Sequence, residues 1–172
     1  YIQNLVEMEL ARLADTYPPE GATIIVGNPQ TGEILGLGNY PTFDPNEFWK
    51  SPLEQQRNRA VTDVYEPGST FKIVTVAAVL LEGLANASTF VDCASTRADY
   101  QGRRVSLMTD HKKLGVIPVS RVVAQSSNRG AARLAMMLGD NTFYRYCRDF
   151  GFGEEAGWCL GLERTGTLHE VP

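Results

Sequence analysis

Tyr65-Glu66-Pro67-Gly68-Ser69-Thr70-Phe71-Lys72-Ile73-Val74-Thr75-Val76-Ala77-Ala78-Val79-Leu80-Leu81 is the stretch on which the reading of this chain turns. A Pro-Gly pair leads into a run that is apolar nearly all round. That pattern predicts a helix from Ser69 to about Leu81, ended by Gly83 and set in the middle of a domain. Ser69 and Lys72 stand three residues apart, so they share a helix face with Cβ atoms about 5–6 Å apart. A neutral lysine amine in reach of a serine hydroxyl is a competent base for a serine nucleophile. Two features favour the neutral form: the helix dipole at the first turn and the apolar surroundings. Free backbone N–H groups at the helix start suit an oxyanion, and Gly68 permits close backbone approach. The plain alternative is that Ser69 is a helix N-cap and the spacing is chance.

Working outward, Ser126-Ser127-Asn128 separates two apolar helical stretches, Val119–Ala124 and Ala131–Leu138. A hydroxyl there can relay a proton, and a carboxamide can hold a substrate amide by its donor and acceptor. The same triplet also suits an N-cap. The second stretch is expected to begin at Asn128 or Arg129 and to end at Gly139. A further helix, capped by Asn141, runs to about Phe150. Before Ser69, residues 1–14 read as an amphipathic helix closed by Pro18-Pro19. Two short apolar runs, 22–27 and 33–38, flank an Asn/Pro/Gly turn and predict a β-hairpin. Residues 39–67 are irregular, broken by Pro41, Pro45, Pro52 and Pro67, with a short helix around 53–57. Residues 85–116 hold a loop and a small ribbon turning at Gln101-Gly102, and 152–172 is turn-rich.

The 172 residues, 43% hydrophobic and 21% charged, suit one globular domain rather than a disordered or low-complexity chain. Lys and Arg number 16 against 20 Asp and Glu, a net charge of -4, which excludes a strongly basic nucleic-acid footprint. The most apolar stretch, Ile73 to Leu81, falls well short of the roughly 20 residues a spanning helix needs. With no signal peptide in view, the chain as given is expected to be soluble. Cys93, Cys147 and Cys159 form no C-x-x-C pair, and His111 and His169 stand apart, so neither a metal nor a cofactor is expected. The thiols are read as packed, with one bridge as the alternative. His111 is placed in a solvated loop, Trp49 and Trp158 are placed as packing anchors, and Met136-Met137 in a helix core.

Taken together, Ser69-x-x-Lys72 and Ser126-x-Asn128 resemble the first two motifs of the penicillin-binding proteins and serine β-lactamases. Pro29-Gln30-Thr31-Gly32-Glu33-Ile34-Leu35 resembles the first hairpin of the transpeptidase domain. Tyr40-Pro41-Thr42-Phe43-Asp44-Pro45-Asn46 resembles the segment after it, and Asn58-Arg59-Ala60 and Tyr65-Glu66-Pro67-Gly68 resemble the approach to the nucleophile. Ser126-Ser127-Asn128-Arg129-Gly130 through Leu138-Gly139 fits as well. The likeness covers nearly the whole chain and favours the monofunctional, class B branch.

The resemblance implies an α+β fold of the serine β-lactamase and D,D-transpeptidase type, here the helical subdomain plus the first hairpin of its antiparallel sheet. It implies acyl transfer on peptidoglycan, with the stem peptide as substrate, β-lactams as acylating inhibitors and no cofactor. Ser69 is then the nucleophile and Lys72 its base. Ser126 relays a proton to the leaving amine, and Asn128 binds the substrate amide and helps to orient Lys72. The backbone N–H of Ser69 is half of the oxyanion hole. The family's third motif, Lys-Thr-Gly or Lys-Ser-Gly, does not occur. Arg164-Thr165-Gly166 follows the second motif too closely to replace it, and Glu163-x-x-Gly166 better resembles a family loop. Residues 1–172 are therefore expected to be part of a larger transpeptidase domain, inactive or nearly so by itself. The parent is expected to be membrane-anchored on the extracytoplasmic side, with cell-wall synthesis partners and no nucleic acid. A β-lactam sensor and a non-catalytic scaffold are the competing readings; Asn128 argues against the sensor, whose second motif typically carries valine.

Overall fold

The computed structural model describes residues 1–158 and 163–171. Its elements follow in chain order as α1 (Ile2–Thr16), β1 (Ala22–Gly27), β2 (Ile34–Tyr40), α2 (Leu53–Gln56), α3 (Arg59–Thr62), α4 (Lys72–Leu81), β3 (Phe90–Asp92), β4 (Arg97–Tyr100), β5 (Arg103–Ser106), β6 (Val116–Pro118), α5 (Val119–Ala124), α6 (Asn128–Leu138) and α7 (Asp140–Asp149). Short 3₁₀ turns lie at Pro45–Lys50 and Gly68–Phe71. The chain forms two compact units, Tyr1–Val64 with Glu155–Arg164, and Tyr65–Glu154 with Thr165–Pro172. Among the described residues no helix is long and apolar enough to cross a membrane.

In the first unit β1 and β2 form the expected antiparallel hairpin, Ile24 opposite Gly38 and Val26 opposite Gly36. Helix α1 lies on β2 because that strand carries glycines where the helix arrives. A Cβ at Gly38 would stand 2.7 Å from both Leu10 Cδ1 and Val6 Cγ1, and Val6 and Leu10 are the buried residues of α1. The Gln3 carboxamide donates to the Leu37 carbonyl and accepts from its N–H, both at 2.9 Å. A side chain thus takes both backbone groups of a strand residue, and that edge of the hairpin is partly covered. Trp49, read as a packing anchor, is 66% exposed and meets Phe48 edge-on. It sits in the 3₁₀ turn Pro45–Lys50, none of whose residues is buried.

The second unit is built on α4, α5 and α6. Ala78 and Val79 of α4 pack with Val119 and Val122 of α5, Leu134 and Leu138 of α6, and Val91 and Cys93 of the β3 segment. β3 pairs with β6, and β4 with β5 across the expected turn, where Gln101 and Gly102 both have positive φ. α6 approaches α5 closely at Gly130: a Cβ there would lie 2.7 Å from Val122 Cγ1 and 2.9 Å from Cys93 Sγ. Helix α4 is not enclosed on every side. Val74, Thr75, Ala78 and Val79 are buried, while Ile73 is 61% and Leu81 73% exposed. Uniform apolarity marked this helix as central, but the elements packed on it reach one face. Met137 likewise faces outward on α6. The N-cap of α7 is Gly139, at φ +73°, rather than Asn141, which lies within the helix. Cys93 and Cys147 are buried free thiols, and Cys159 lies outside the described residues.

Candidate active site

All four residues singled out from the sequence lie in the second unit. The nucleophile candidate stands not in the α-helix but in the tighter 3₁₀ turn, Gly68–Phe71, that leads into it. Gly68 has φ +59° and nothing within 4 Å of a would-be Cβ. Glycine is needed there for the left-handed backbone. Thr70 Oγ1 donates to the Pro67 carbonyl at 2.8 Å. The Phe71 ring meets Phe143 and Phe152 edge-on, with centroids 6.0 and 4.9 Å away. Each such pair adds about 0.5–1.5 kcal/mol beyond area burial, so Phe71 anchors the turn between Ser69 and Lys72. Ser69 caps neither helix, since neither the 3₁₀ turn nor α4 has a side-chain cap. Its exposed hydroxyl instead accepts a 3.2 Å hydrogen bond from Lys72 Nζ.

The same amine reaches across to the second motif. Lys72 Nζ donates to the Ser126 carbonyl at 2.7 Å and meets Ser126 Oγ at 2.9 Å. Ser126 can offer both groups because of its backbone. It follows the C-cap of α5 at φ +51°, with Ser126 N–H bonded to Val123 O at 2.9 Å and Ser127 N–H to Val122 O at 3.0 Å. These two reversed bonds are the Schellman pattern, whose left-handed position is ordinarily glycine. A serine held there turns carbonyl and hydroxyl together toward the amine.

The cap at this junction is Ser127, fully buried, whose Oγ accepts from Gly130 N–H at 2.9 Å and donates to Asp110 Oδ2 at 2.7 Å. Asp110 Oδ1 accepts the N–H groups of Asn128, at 2.5 Å, and Arg129, at 3.2 Å. The Asn128 carboxamide donates to the Thr109 carbonyl at 2.7 Å. Among the described residues no bond runs from Asn128 to Lys72, whose hydroxyl and carbonyl partners come from Ser69 and Ser126.

Burial lowers the Lys72 pKa below the ordinary lysine value, and the Asp110 charge opposes this in part. The direction agrees with the expectation from the apolar helix. Asp110 itself was not legible in the sequence. A capping carboxylate is recognisable when it adjoins the helix start, whereas Asp110 reaches Ser127 from seventeen residues away. His111, beside it, is exposed as expected. Among the described residues no cluster of His, Cys, Asp or Glu has the makings of a metal site. Glu163 accepts the N–H groups of Gly157 and Trp158, and residues 163–171 hold no helix or strand.

A family model described as the penicillin binding protein transpeptidase domain matches residues 22–170. Stage V sporulation protein D of Bacillus subtilis is 37% identical over 97% of this chain and 26% of its own length. A probable peptidoglycan D,D-transpeptidase FtsI of Caulobacter vibrioides is 36% identical over 90% of this chain and 26% of its own. The chain thus spans about a quarter of the length of these relatives. Among solved structures, the transpeptidase domain of Burkholderia pseudomallei penicillin-binding protein 3 superposes with a TM-score of 0.79 at 28% identity, covering 98% of this chain and 46% of that one.

Proposed function

The chain belongs to the penicillin-binding protein transpeptidase family, and on that premise we propose that it carries the serine and lysine of a peptidoglycan D,D-transpeptidase that works through an acyl-enzyme. Ser69 is the nucleophile, acylated by the stem peptide or by a β-lactam. The observation that carries this reading is the Lys72 amine set between Ser69 Oγ at 3.2 Å and Ser126 Oγ at 2.9 Å.

The donor and acceptor count sets the direction of proton flow. The Ser126 carbonyl can only accept, so one N–H of Lys72 stays on it. The neutral amine keeps a lone pair, and both hydroxyls can donate into it. Lys72 takes the proton of Ser69 as Oγ bonds to the substrate carbonyl carbon. It returns that proton through Ser126 Oγ to the leaving amine as the scissile C–N bond breaks. The acceptor amine of a second stem peptide then attacks the ester, and the same groups run in reverse, restoring Ser69. Asn128 faces the substrate amide. The proposed working domain lies on the outer side of the cytoplasmic membrane, where peptidoglycan is assembled, in a membrane-anchored parent with cell-wall synthesis partners.

Residues 1–172 hold the first two of the family's three motifs, as part of the transpeptidase domain. The exposed apolar face of α4 supports this. The resemblance gives the strand of the third motif as the source of the second oxyanion N–H, and that motif does not occur here. Loss of one such donor costs about 10²–10³ in rate, so acylation by this chain is expected to be slow and turnover negligible. The test is intact mass after prolonged incubation with a penicillin, with Ser69→Ala as control. One adduct on the wild-type chain, lost in Ser69→Ala, is expected. An adduct that survives in Ser69→Ala, or none on a chain shown to be folded by circular dichroism, would refute the assignment for this chain.

A further inference from the structure

We propose that Asp110 is a positioning residue of this site: its carboxylate clamps the first residues of α6 and thereby holds Ser126 turned toward the Lys72 amine. The proposal rests on the reading of Ser69, Lys72 and Ser126 as the reacting groups.

The start of α6 is bonded beyond what a helix cap requires. Ser127 Oγ already takes the Gly130 N–H. Asp110, from the loop before β6, adds the Asn128 and Arg129 N–H groups and the Ser127 hydroxyl. The three N–H groups that open the helix are thereby all occupied by one carboxylate and one hydroxyl. Ser127 is fully buried, so its hydroxyl proton has Asp110 rather than water as acceptor. Ser126 is joined directly to this clamp and sits in the left-handed region at φ +51°. A non-glycine residue stays there only when its surroundings hold it. α5 holds it from one side through the two reversed bonds, and Asp110 holds it from the other. Release of α6 frees Ser126 to rotate its carbonyl and hydroxyl away from Lys72.

A second effect follows from charge. The groups facing the Lys72 amine are the Ser69 hydroxyl from its own turn and the Ser126 carbonyl and hydroxyl from the α5–α6 junction. Among the described residues Asp110 supplies the charge that acts on it, favouring the ammonium form. The same carboxylate that sets the geometry also restrains deprotonation of Lys72.

Asp110→Asn and Asp110→Ala separate these roles from mere capping. The Lys72 amine is titrated through its ¹³Cε resonance, identified by its loss in Lys72→Arg, and acylation by penicillin is timed by mass. Asp110→Asn preserves shape and removes charge, and is expected to move the Lys72 titration to lower pH. Asp110→Ala is expected to slow acylation by about ten- to a hundredfold, the scale of an ångström-level misplacement. A residue that only caps α6 would lower the unfolding midpoint and leave both the Lys72 titration and the acylation rate, within twofold, where they are. That result overturns the proposal, and the isosteric asparagine keeps it testable if the alanine variant does not fold. A wild-type chain that is not acylated counts against the Ser69 assignment, while the Lys72 titration still decides the role of Asp110.

Discussion

The left-handed serine at the α5–α6 junction carries a calculable cost. Ser126 has φ +51° at a position where glycine is the ordinary residue. The left-handed conformation costs a non-glycine residue about 1–2 kcal/mol. Ser126→Gly removes that cost, and the greater freedom of glycine in the unfolded chain returns about 0.4–1 kcal/mol of it. Ser126→Ala keeps the cost. Both variants lose the hydroxyl that meets Lys72 Nζ at 2.9 Å, so that contribution cancels between them. The glycine variant is therefore expected to be the more stable of the two by about 1 kcal/mol, or about 2–4 °C in Tm for a chain of this size. Thermal unfolding followed by circular dichroism measures the difference directly. Both variants should be slowed alike in acylation, because neither retains the hydroxyl proposed as the proton relay. An alanine variant as stable as the glycine variant would show that the backbone at residue 126 is not held in the left-handed region, and the account of how Ser126 faces Lys72 would fall with it.

Three further outcomes follow from the packing and charge. Gly130→Ala places a methyl 2.7 Å from Val122 Cγ1 and 2.9 Å from Cys93 Sγ, and is expected to destabilise by about 1–3 kcal/mol in denaturant unfolding. Leu134→Ala empties the centre of the second unit, where Leu134 is fully buried, and is expected to cost about 2–5 kcal/mol in the same assay. Acylation of Ser69 should rise with pH about a midpoint below the ordinary lysine value of 10.5, because burial favours the neutral Lys72 amine. The stability linkage has the matching sign. The unfolded chain binds the Lys72 proton more tightly, so the group weakens the fold below its folded pKa, and this penalty fades as pH rises toward 10.5. A rate profile with its midpoint at or above 10.5 would contradict the burial argument.

Much of the fold was legible because its signals are local. The 3.6-residue period of residues 1–14, the Asn/Pro/Gly turn between β1 and β2, the Gln101-Gly102 turn and the glycine after α6 each act within a few residues of themselves. The pairing of Ser69 with Lys72 was legible too, since three residues of helical turn bring them together whatever the rest of the chain does. What the sequence by itself determined was therefore the identity and local spacing of the groups proposed to react. Tertiary structure decided the rest. Which side of the uniformly apolar α4 is buried depends on where α5 and α6 dock, not on the order of its residues. Which of Ser126, Ser127 and Asn128 caps and which faces the lysine depends on how α5 ends, and Ser127 caps only because Ser126 turns left-handed. Asp110 joins the site through a loop whose composition announces nothing. A hydrogen bond formed across the fold leaves no spacing in the sequence to read, because only the docking of the Asp110 loop against the start of α6 brings its two ends together.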